Sequence, residues 1–138
     1  MKKVLFLSFY FPPRNRISSY RSSGFCRHLR KFNWKPTVIC EDWPIGAPDY
    51  DESLLDGLEN LDVHRIMSYG PRGFSRFLIR NLYPWILPEK TPFNWWKLAH
   101  KKAYELCATG DFDVIVASHG PLSTLSSASE ISQYFKIP

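Results

Sequence analysis

Two short, almost continuous apolar runs stand near the two ends of the sequence, and each leads through a polar loop into a segment with helical spacing. The first run extends from Lys3 to Tyr10, and the second lies within Asp111 to Ser118. Strands of a parallel sheet have this composition, because helices cover both of their faces. The pattern therefore constrains the chain to an α/β fold with a mainly parallel sheet.

The segment after the first run predicts a helix. Ser18 or Ser19 is expected to cap it, and it should reach about Asn33 with Phe25, Leu29 and Phe32 on one face. The helix should then lead into a β-rich run over 36–41, which completes a β-α-β unit.

The rest of the chain continues the alternation. A loop over 42–60 should hold a short helix near 53–58, and residues 61–67 indicate a weaker strand. A short helix over 74–82 and a longer one over 95–108 precede the second apolar run. The last helix begins at Pro121 and should bury the following residues: Leu125, Ala128, Ile131 and Phe135.

This order predicts a Rossmann-like, doubly wound α/β domain with helices on both faces of the sheet. The 138 residues, 44% of them apolar, suffice for one domain with a real core. The apolar stretch Ile137-Pro138 stands where the alternation begins another parallel strand. We therefore expect residues 1–138 to be a single domain that is truncated before its last strands.

Composition excludes several classes of protein. No apolar run approaches the ~20 residues that cross a bilayer. The three cysteines lack C-x-x-C spacing and are expected to be buried thiols in a reducing cytoplasm. The sequence has no G-x-G-x-x-G motif, no phosphate-binding P-loop motif and no metal-ligand spacing of His or Cys. Dinucleotide binding, nucleotide hydrolysis by a P-loop and zinc chemistry are disfavoured.

The net charge of +5 favours an anionic partner, such as a phosphate, an anionic lipid surface or a nucleic acid. A nucleic acid is not expected, because the basic residues do not form a dense stripe.

Ligands of such a sheet bind beyond the carboxyl ends of the strands, which points to the loops 10–19 and 118–121. Each loop leads into a helix N-terminus, which favours an anion. Arginines there are suited to phosphate or carboxylate, although loop arginines are often only solvated. The candidate substrate-binding residues are Pro13, Arg14, Arg16, Ser19, Arg21, Ser118, Gly120 and Pro121.

His119 stands between two of these candidates. An imidazole at the end of a strand can act as general base toward an acceptor hydroxyl, so His119 is the candidate catalytic residue. The alternative is a histidine that only caps backbone groups of a turn.

Two Asp-x-Asp triplets, 49–51 and 111–113, invite comparison with a metal site. The second precedes a strand and so falls at the edge opposite the expected site, and the first lies in an acidic loop. Both are interpreted as solvated turns, and no metal ligand is predicted.

A basic, aromatic-rich stretch falls within 71–95. Arg72, Arg76 and Arg80 recur at intervals of four residues, and Trp85 follows them. Such a stretch can rest on an anionic membrane surface, or its apolar side can pack on the domain while the arginines stay solvated.

The opening run with Phe11-Pro12-Pro13, the following Arg21, and Trp34 to Val38 resemble the start of the glycosyltransferase family 4-like N-terminal domain. The segment Phe112 to Ser123 is similar to the fourth-strand motif of that family. The resemblance spans the chain, although residues 42–95 contribute little to it.

This resemblance implies the N-terminal half of a GT-B glycosyltransferase, which holds the acceptor while a C-terminal domain, absent here, binds a nucleotide-sugar donor. It implies a sugar or lipid-linked glycan acceptor and a role in bacterial cell-surface polysaccharide or glycolipid synthesis. It also implies a cytoplasmic location, peripheral at the inner face of the membrane, with no cofactor in this domain.

The sequence departs from the family at 14–19, where a glycine-rich segment is replaced by one with two arginines. Catalysis by residues 1–138 alone is not expected. The alternative reading is a noncatalytic Rossmann-like binding or scaffold module.

Overall fold

The structure, a computed structural model, describes residues 1–67 and 95–138. Within these residues the chain alternates between strands and helices, with a short 3-10 helix at Glu52–Leu55. The main elements are β1 Lys2–Leu7, α1 Ile17–Lys31, β2 Trp34–Glu41, β3 Asp62–Ile66, α2 Trp95–Thr109, β4 Val114–Ala117 and α3 Leu122–Phe135.

The described strands form one parallel sheet in the order β3-β2-β1-β4. β1 lies in the interior of the sheet, where Leu7 stands opposite Ile39 of β2 on one side and Ala117 of β4 on the other. The predicted parallel sheet is confirmed.

Helices cover both faces, because successive side chains of β1 point to opposite sides. Leu5 and Leu7 contribute to a core that includes Trp95 of α2 and Ile131 of α3. Phe6 contributes to a second core with Val38, Cys40 and, from α1, Cys26. The chain thus has the predicted Rossmann-like, doubly wound α/β fold.

The predicted orientation of α1 is wrong. Its buried side chains are small: Ser19, Ser22, Ser23 and Cys26. Phe25 and Phe32 are exposed instead. Large strand residues such as Phe6 already fill the space on this face of the sheet, so the helix approaches closely only through small side chains.

The helix start also differs from the prediction. α1 begins at Ile17 with Arg16 as its N-cap, and no side chain caps it. Ser19 does not cap the helix because its side chain is buried inside the first turn. Backbone N–H groups of Ser19 and Tyr20 bond instead to the carbonyl oxygen of Arg16, at 2.9 and 3.3 Å.

Helices α2 and α3 pack together on the other face of the sheet. α2 buries Trp95, Ala99, Ala103 and Cys107. In α3, Ala128 and Ile131 are buried as predicted, but Leu125 is exposed and Thr124 and Ser127 take the buried positions beside them. The hydroxyl residues allow closer helix packing than Leu125 would.

The backbone beyond α3 turns back to the sheet. The N–H of Ile115 donates to the carbonyl oxygen of Pro138 at 2.7 Å, and Ile137 packs against the core. This bond places Pro138 at the outer edge of β4, where the alternation predicts a further strand.

The predicted helix over 74–82 and the candidate membrane residues Arg72, Arg76, Arg80 and Trp85 lie outside the described residues. In the part of the chain that is described, no helix is both long and apolar enough to cross a membrane.

Candidate functional site

The candidate site lies beyond the carboxyl ends of β1 and β4. Within the sheet, β2 and β3 lie on one side of β1, and β4 lies on the other side of β1. The strand order therefore reverses between β1 and β4. The loops after these strands start side by side, since the N–H of Ser118 donates to the carbonyl oxygen of Leu7 at 2.8 Å. Parallel sheets form ligand crevices at this position.

Arg21 links the two sides of the crevice. Its Nη2 atom donates to Oγ of Ser118 at 3.3 Å, so a side chain of α1 reaches the loop after β4. The partner is a neutral hydroxyl, and Arg21 has no carboxylate partner within residues 1–67 and 95–138. Of the three candidate arginines, Arg21 is therefore the one whose charge is best placed for an anionic ligand.

Arg14 is held by protein groups. Its Nη1 atom donates to Oε2 of Glu41 at 2.6 Å, and the side chains are only 15% and 3% exposed. The guanidinium carbon lies 3.8 Å from the centre of the Trp43 ring and 4.6 Å from that of Tyr10. These contacts neutralise and enclose the Arg14 charge, so Arg14 shapes the loop after β1 from within.

Arg16 lies at the surface, where its 54% exposed side chain pairs with Asp49. The loop that contains Arg16 and the loop that contains Asp49 are also joined through their backbones. The N–H of Asn15 donates to the carbonyl oxygen of Asp49 at 2.6 Å, and the N–H of Asp51 donates to the carbonyl oxygen of Pro13 at 2.8 Å. The loop after β1 is therefore braced by the loop after β2.

The loop after β4 contains the remaining candidates. His119 is exposed, and its ring makes no hydrogen bond or ion pair with another described residue. Gly120 has a φ of +104°, a backbone conformation that residues with a side chain rarely adopt. Pro121 is the N-cap of α3. This turn brings the first N–H groups of α3 to the same edge of the sheet, where they favour negative charge.

Buried hydroxyls accompany both helix starts. Ser19 in the first turn of α1 and Thr124 in that of α3 are fully buried, and their oxygens make no hydrogen bond within the described part of the chain. The candidate residues thus differ in burial: Arg21 and His119 are exposed, Ser118, Gly120 and Pro121 are half-buried, and Pro13 and Ser19 are buried.

The Asp-x-Asp triplets lie where the sequence placed them. Oδ2 of Asp113 accepts the N–H of Lys3 at 2.7 Å, which is at the amino edge of the sheet. Asp51 caps the 3-10 helix by accepting the N–H of Ser53 at 3.1 Å. In the described ranges, no three His, Cys, Asp or Glu side chains gather as a metal site.

Sequence reasoning missed Glu41, Trp43 and Tyr10 as parts of this region. A detectable signal was Glu41 itself, a carboxylate directly after the apolar residues Val38, Ile39 and Cys40 of a buried strand. Such a group needs a cationic partner when it is buried, and Arg14 is close by in the loop after β1.

No protein-family model and no curated protein matches the sequence. Among solved structures, the chain is similar to MurG of Acinetobacter baumannii, with a TM-score of 0.56 and 13% identity. The similarity covers 100% of this chain and 33% of that chain, so these residues span one third of its length. At this identity the likeness concerns the fold alone: the chain has a Rossmann-like fold similar to that of a GT-B glycosyltransferase domain.

Proposed function

We propose that the chain is the acceptor-side, N-terminal domain of a nucleotide-sugar-dependent glycosyltransferase of the family 4-like type. The single observation that carries this proposal is the crevice between β1 and β4, crossed by Arg21 and Ser118, in a fold similar to a GT-B domain. A bacterial role in cell-surface polysaccharide or glycolipid synthesis follows from the same family resemblance.

Arg21 is assigned to bind a phosphate or carboxylate of the acceptor. Its guanidinium already reaches across the crevice, and exchange of the Ser118 hydroxyl for an anionic oxygen would strengthen the hydrogen bond. Ser118, Gly120 and Pro121 would contact the same ligand through the loop and the first turn of α3.

His119 is assigned as general base for the attacking acceptor hydroxyl. Its exposed ring stands next to Ser118 and Gly120, in the loop that ends at the helix start. Proton removal from the hydroxyl would accompany its attack on the sugar carbon, and the nucleotide would depart as the leaving group. The donor would be held by a second domain, outside residues 1–138, and no metal or cofactor is assigned to this one.

The test begins with the gene beyond codon 138. A second β-α-β domain with a nucleotide cleft is expected, and the full-length protein should transfer sugar from a panel of radiolabelled UDP- and GDP-sugars to a lipid extract of the source cells. A stop codon directly after Pro138 would contradict the proposal and leave a noncatalytic binding module.

Variants of the full-length protein then assign the roles. Arg21→Gln should raise KM for the acceptor by about tenfold or more, since it removes a charged hydrogen-bond donor. His119→Gln should lower kcat by about a hundredfold or more with little change in KM. Lys101→Gln, on the exposed side of α2, is the control and should leave both unchanged. Wild-type kinetics for Arg21→Gln would refute its assignment.

A further inference from the structure

A second concave surface lies at the amino edge of the sheet, opposite the crevice. This amino-edge groove has a volume of about 890 Å³ and is lined by the end of α1, the start of β2 and residues of the segment 57–62. Trp34 begins β2 and Glu41 ends it, so the two edges of the sheet are roughly 23 Å apart along this strand. A ligand in the amino-edge groove would therefore leave the crevice free.

One wall of the groove is basic. Arg27, Arg30 and Lys31 lie on one face of α1, at spacings of three and four residues, and Lys35 follows them across a tight turn. Asn33 forms this turn with a φ of +62°, a left-handed conformation that asparagine tolerates. The end of the helix and the start of the strand thus present their cations to the same groove.

The other wall has two carboxylates, and each of them already has a partner. Glu59 accepts the backbone N–H of Gly57 at 2.8 Å. Oδ2 of Asp62 accepts the hydroxyl of Thr37 at 3.2 Å, and its Oδ1 atom lies 3.4 Å from Nε2 of His64. These contacts hold both carboxylates in their own wall, so they offset the cations across the groove only in part.

Three cations of the groove lack a close partner. Arg30, Lys31 and Lys35 are exposed, and within residues 1–67 and 95–138 none of them makes a hydrogen bond or an ion pair. Arg27, by contrast, donates to two backbone carbonyl oxygens in the segment before β3. Glu59 is attracted by Arg27 and Arg30 at longer range. The groove therefore has excess positive charge, which an anionic partner would complement.

Apolar side chains accompany these cations. Trp34 lines the groove and is half-buried, with Nζ of Lys2 5.4 Å from the centre of its ring. Pro36 and Leu61 also line the groove, and Phe32 in the adjoining turn is 73% exposed. Aromatic residues and arginine are enriched at protein interfaces and often dominate their binding energy. The groove thus offers apolar contact together with unpaired positive charge.

We propose that the amino-edge groove binds an acidic segment of a partner protein. Carboxylates of that segment would pair with Arg30, Lys31 and Lys35, while its apolar side chains would pack against Trp34. A peptide segment can enter a concave groove, whereas a flat lipid bilayer would reach only the rim. The carboxylates of the opposite wall would repel the closely spaced phosphates of a nucleic acid.

Fluorescence anisotropy of a short labelled peptide of glutamate and leucine tests the groove in the full-length protein. This acidic peptide should bind saturably, and its counterpart with glutamine in place of glutamate should bind about tenfold more weakly. Lys31→Gln with Lys35→Gln should weaken binding of the acidic peptide by about tenfold or more. The matched control, Lys97→Gln with Lys101→Gln, removes the same charge from the exposed side of α2 and should have no effect.

Tryptophan emission locates the bound peptide. The unlabelled acidic peptide should change the emission of the wild type, and Trp34→Phe should remove most of that change, since Trp34 lines the groove. Circular dichroism should give wild-type spectra for both pairs of lysine variants, because the changed side chains are exposed. A loss of affinity in Lys31→Gln with Lys35→Gln would then reflect the groove and not the fold.

Three results would overturn the proposal: no saturable binding of the acidic peptide, equal weakening by the two pairs of lysine variants, and an emission change that persists in Trp34→Phe. Phosphatidylglycerol vesicles that bind through Lys31 and Lys35, when the peptide does not bind, would assign the cations to a lipid surface instead. None of these measurements includes sugar transfer, so failure of this proposal is distinguishable from failure of the proposed function.

Discussion

The Nη1 atom of Arg14 lies 2.6 Å from Oε2 of Glu41, and this ion pair fastens the loop after β1 to the last residue of β2. Glu41 is almost completely buried, and the Trp43 ring stacks on the guanidinium at 3.8 Å. A buried carboxylate that loses its ion-pair partner is costly, whereas an ion pair at the surface contributes little.

Arg14→Met should lower the free energy of unfolding by about 2 kcal/mol or more, since it removes both the charged hydrogen bond to Glu41 and the stacking of the guanidinium on Trp43. Arg16→Met is the control and should cost less than about 1 kcal/mol, because Arg16 and Asp49 are both largely solvated. Urea unfolding followed by circular dichroism measures both. Equal costs for the two variants would show that the Arg14 ion pair does not stabilise the loop.

Gly120→Ala should destabilise the protein by about 1 kcal/mol or more, because φ at this position is +104°. The cause is backbone strain rather than a clash, as the nearest atom to an added Cβ is a ring carbon of Tyr10 at 3.8 Å. Gly24→Ala should instead stabilise by about 0.5 to 1 kcal/mol, since Gly24 lies inside α1 with open space around its Cα. Thermal unfolding of the two variants should shift in opposite directions; a shift in the same direction would contradict this account.

Ser22→Leu should destabilise the protein by about 2 kcal/mol, because Ser22 occupies a tight place between α1 and the sheet. Its Oγ lies 2.8 Å from Oγ of Ser8. Ser22→Ala should cost only about 1 kcal/mol, since the Ser8 hydroxyl keeps its bond to the carbonyl oxygen of Tyr10. Chemical denaturation ranks the two, and a more stable leucine variant would mean that the interface has room for a larger side chain.

Burial raises the pKa of the Cys26 and Cys40 thiols from 9.0 to about 12. Between these values the unfolded chain has lost protons that the folded chain keeps. The stability from the protonated thiols is therefore complete below about pH 9 and declines as the pH rises toward 12. Between pH 8 and pH 10 each thiol should lower the free energy of unfolding by an amount on the order of 1 kcal/mol.

The measurement is urea unfolding at both pH values. The Cys26→Ala, Cys40→Ala variant is the comparison, because it retains every other group that titrates in this range. Its stability should fall less between pH 8 and pH 10 than that of the wild type. The same decline in both proteins would rule out the thiols as its cause.

The strands were predictable because their composition reflects the helices that cover both faces of the sheet; residues 36–41 of β2 are buried and those of β4 are half-buried. The strand segments are apolar whichever helix covers them, as Val38 to Cys40 and Val114 to Val116 show. The parallel sheet was therefore predictable from the sequence. The end of the α2 helix was equally clear: Gly110 follows it, and its N–H donates to the carbonyl oxygen of Leu106 at 2.8 Å.

The orientation of α1 was not predictable from hydrophobic spacing. Phe25 and Phe32 formed the apparent buried face, but the space against the sheet was already filled by Phe6 and Phe11. Spacing along one helix contains no information about the volume of the strand residues opposite it. Serines at the same intervals were the better indication of a close contact.

The position of the candidate site was predictable from the sequence, but the set of residues that form it was predictable only in part. The topology places loops 10–19 and 118–121 at one edge, as expected for a parallel sheet, and Arg21 in the first turns of α1 reaches Ser118 in the second loop. The ion-pair partner of Arg14 was not predictable, because Glu41 lies 27 positions later in the sequence. Sequence shows that Arg14 and Glu41 exist, but only the fold shows that they meet.

The central place of β1 in the sheet has a consequence for how the chain is made. Its neighbour β2 follows soon after it, but Lys3 also bonds to Asp113, 110 residues later. At a synthesis rate of about 5 to 20 residues per second, one edge of β1 waits roughly 5 to 20 s on the ribosome for β4. During that time an apolar strand has an open side, which is the usual template for association between chains. The open edge of β1 is therefore an aggregation hazard of the nascent polypeptide, and this edge closes when β4 pairs with it.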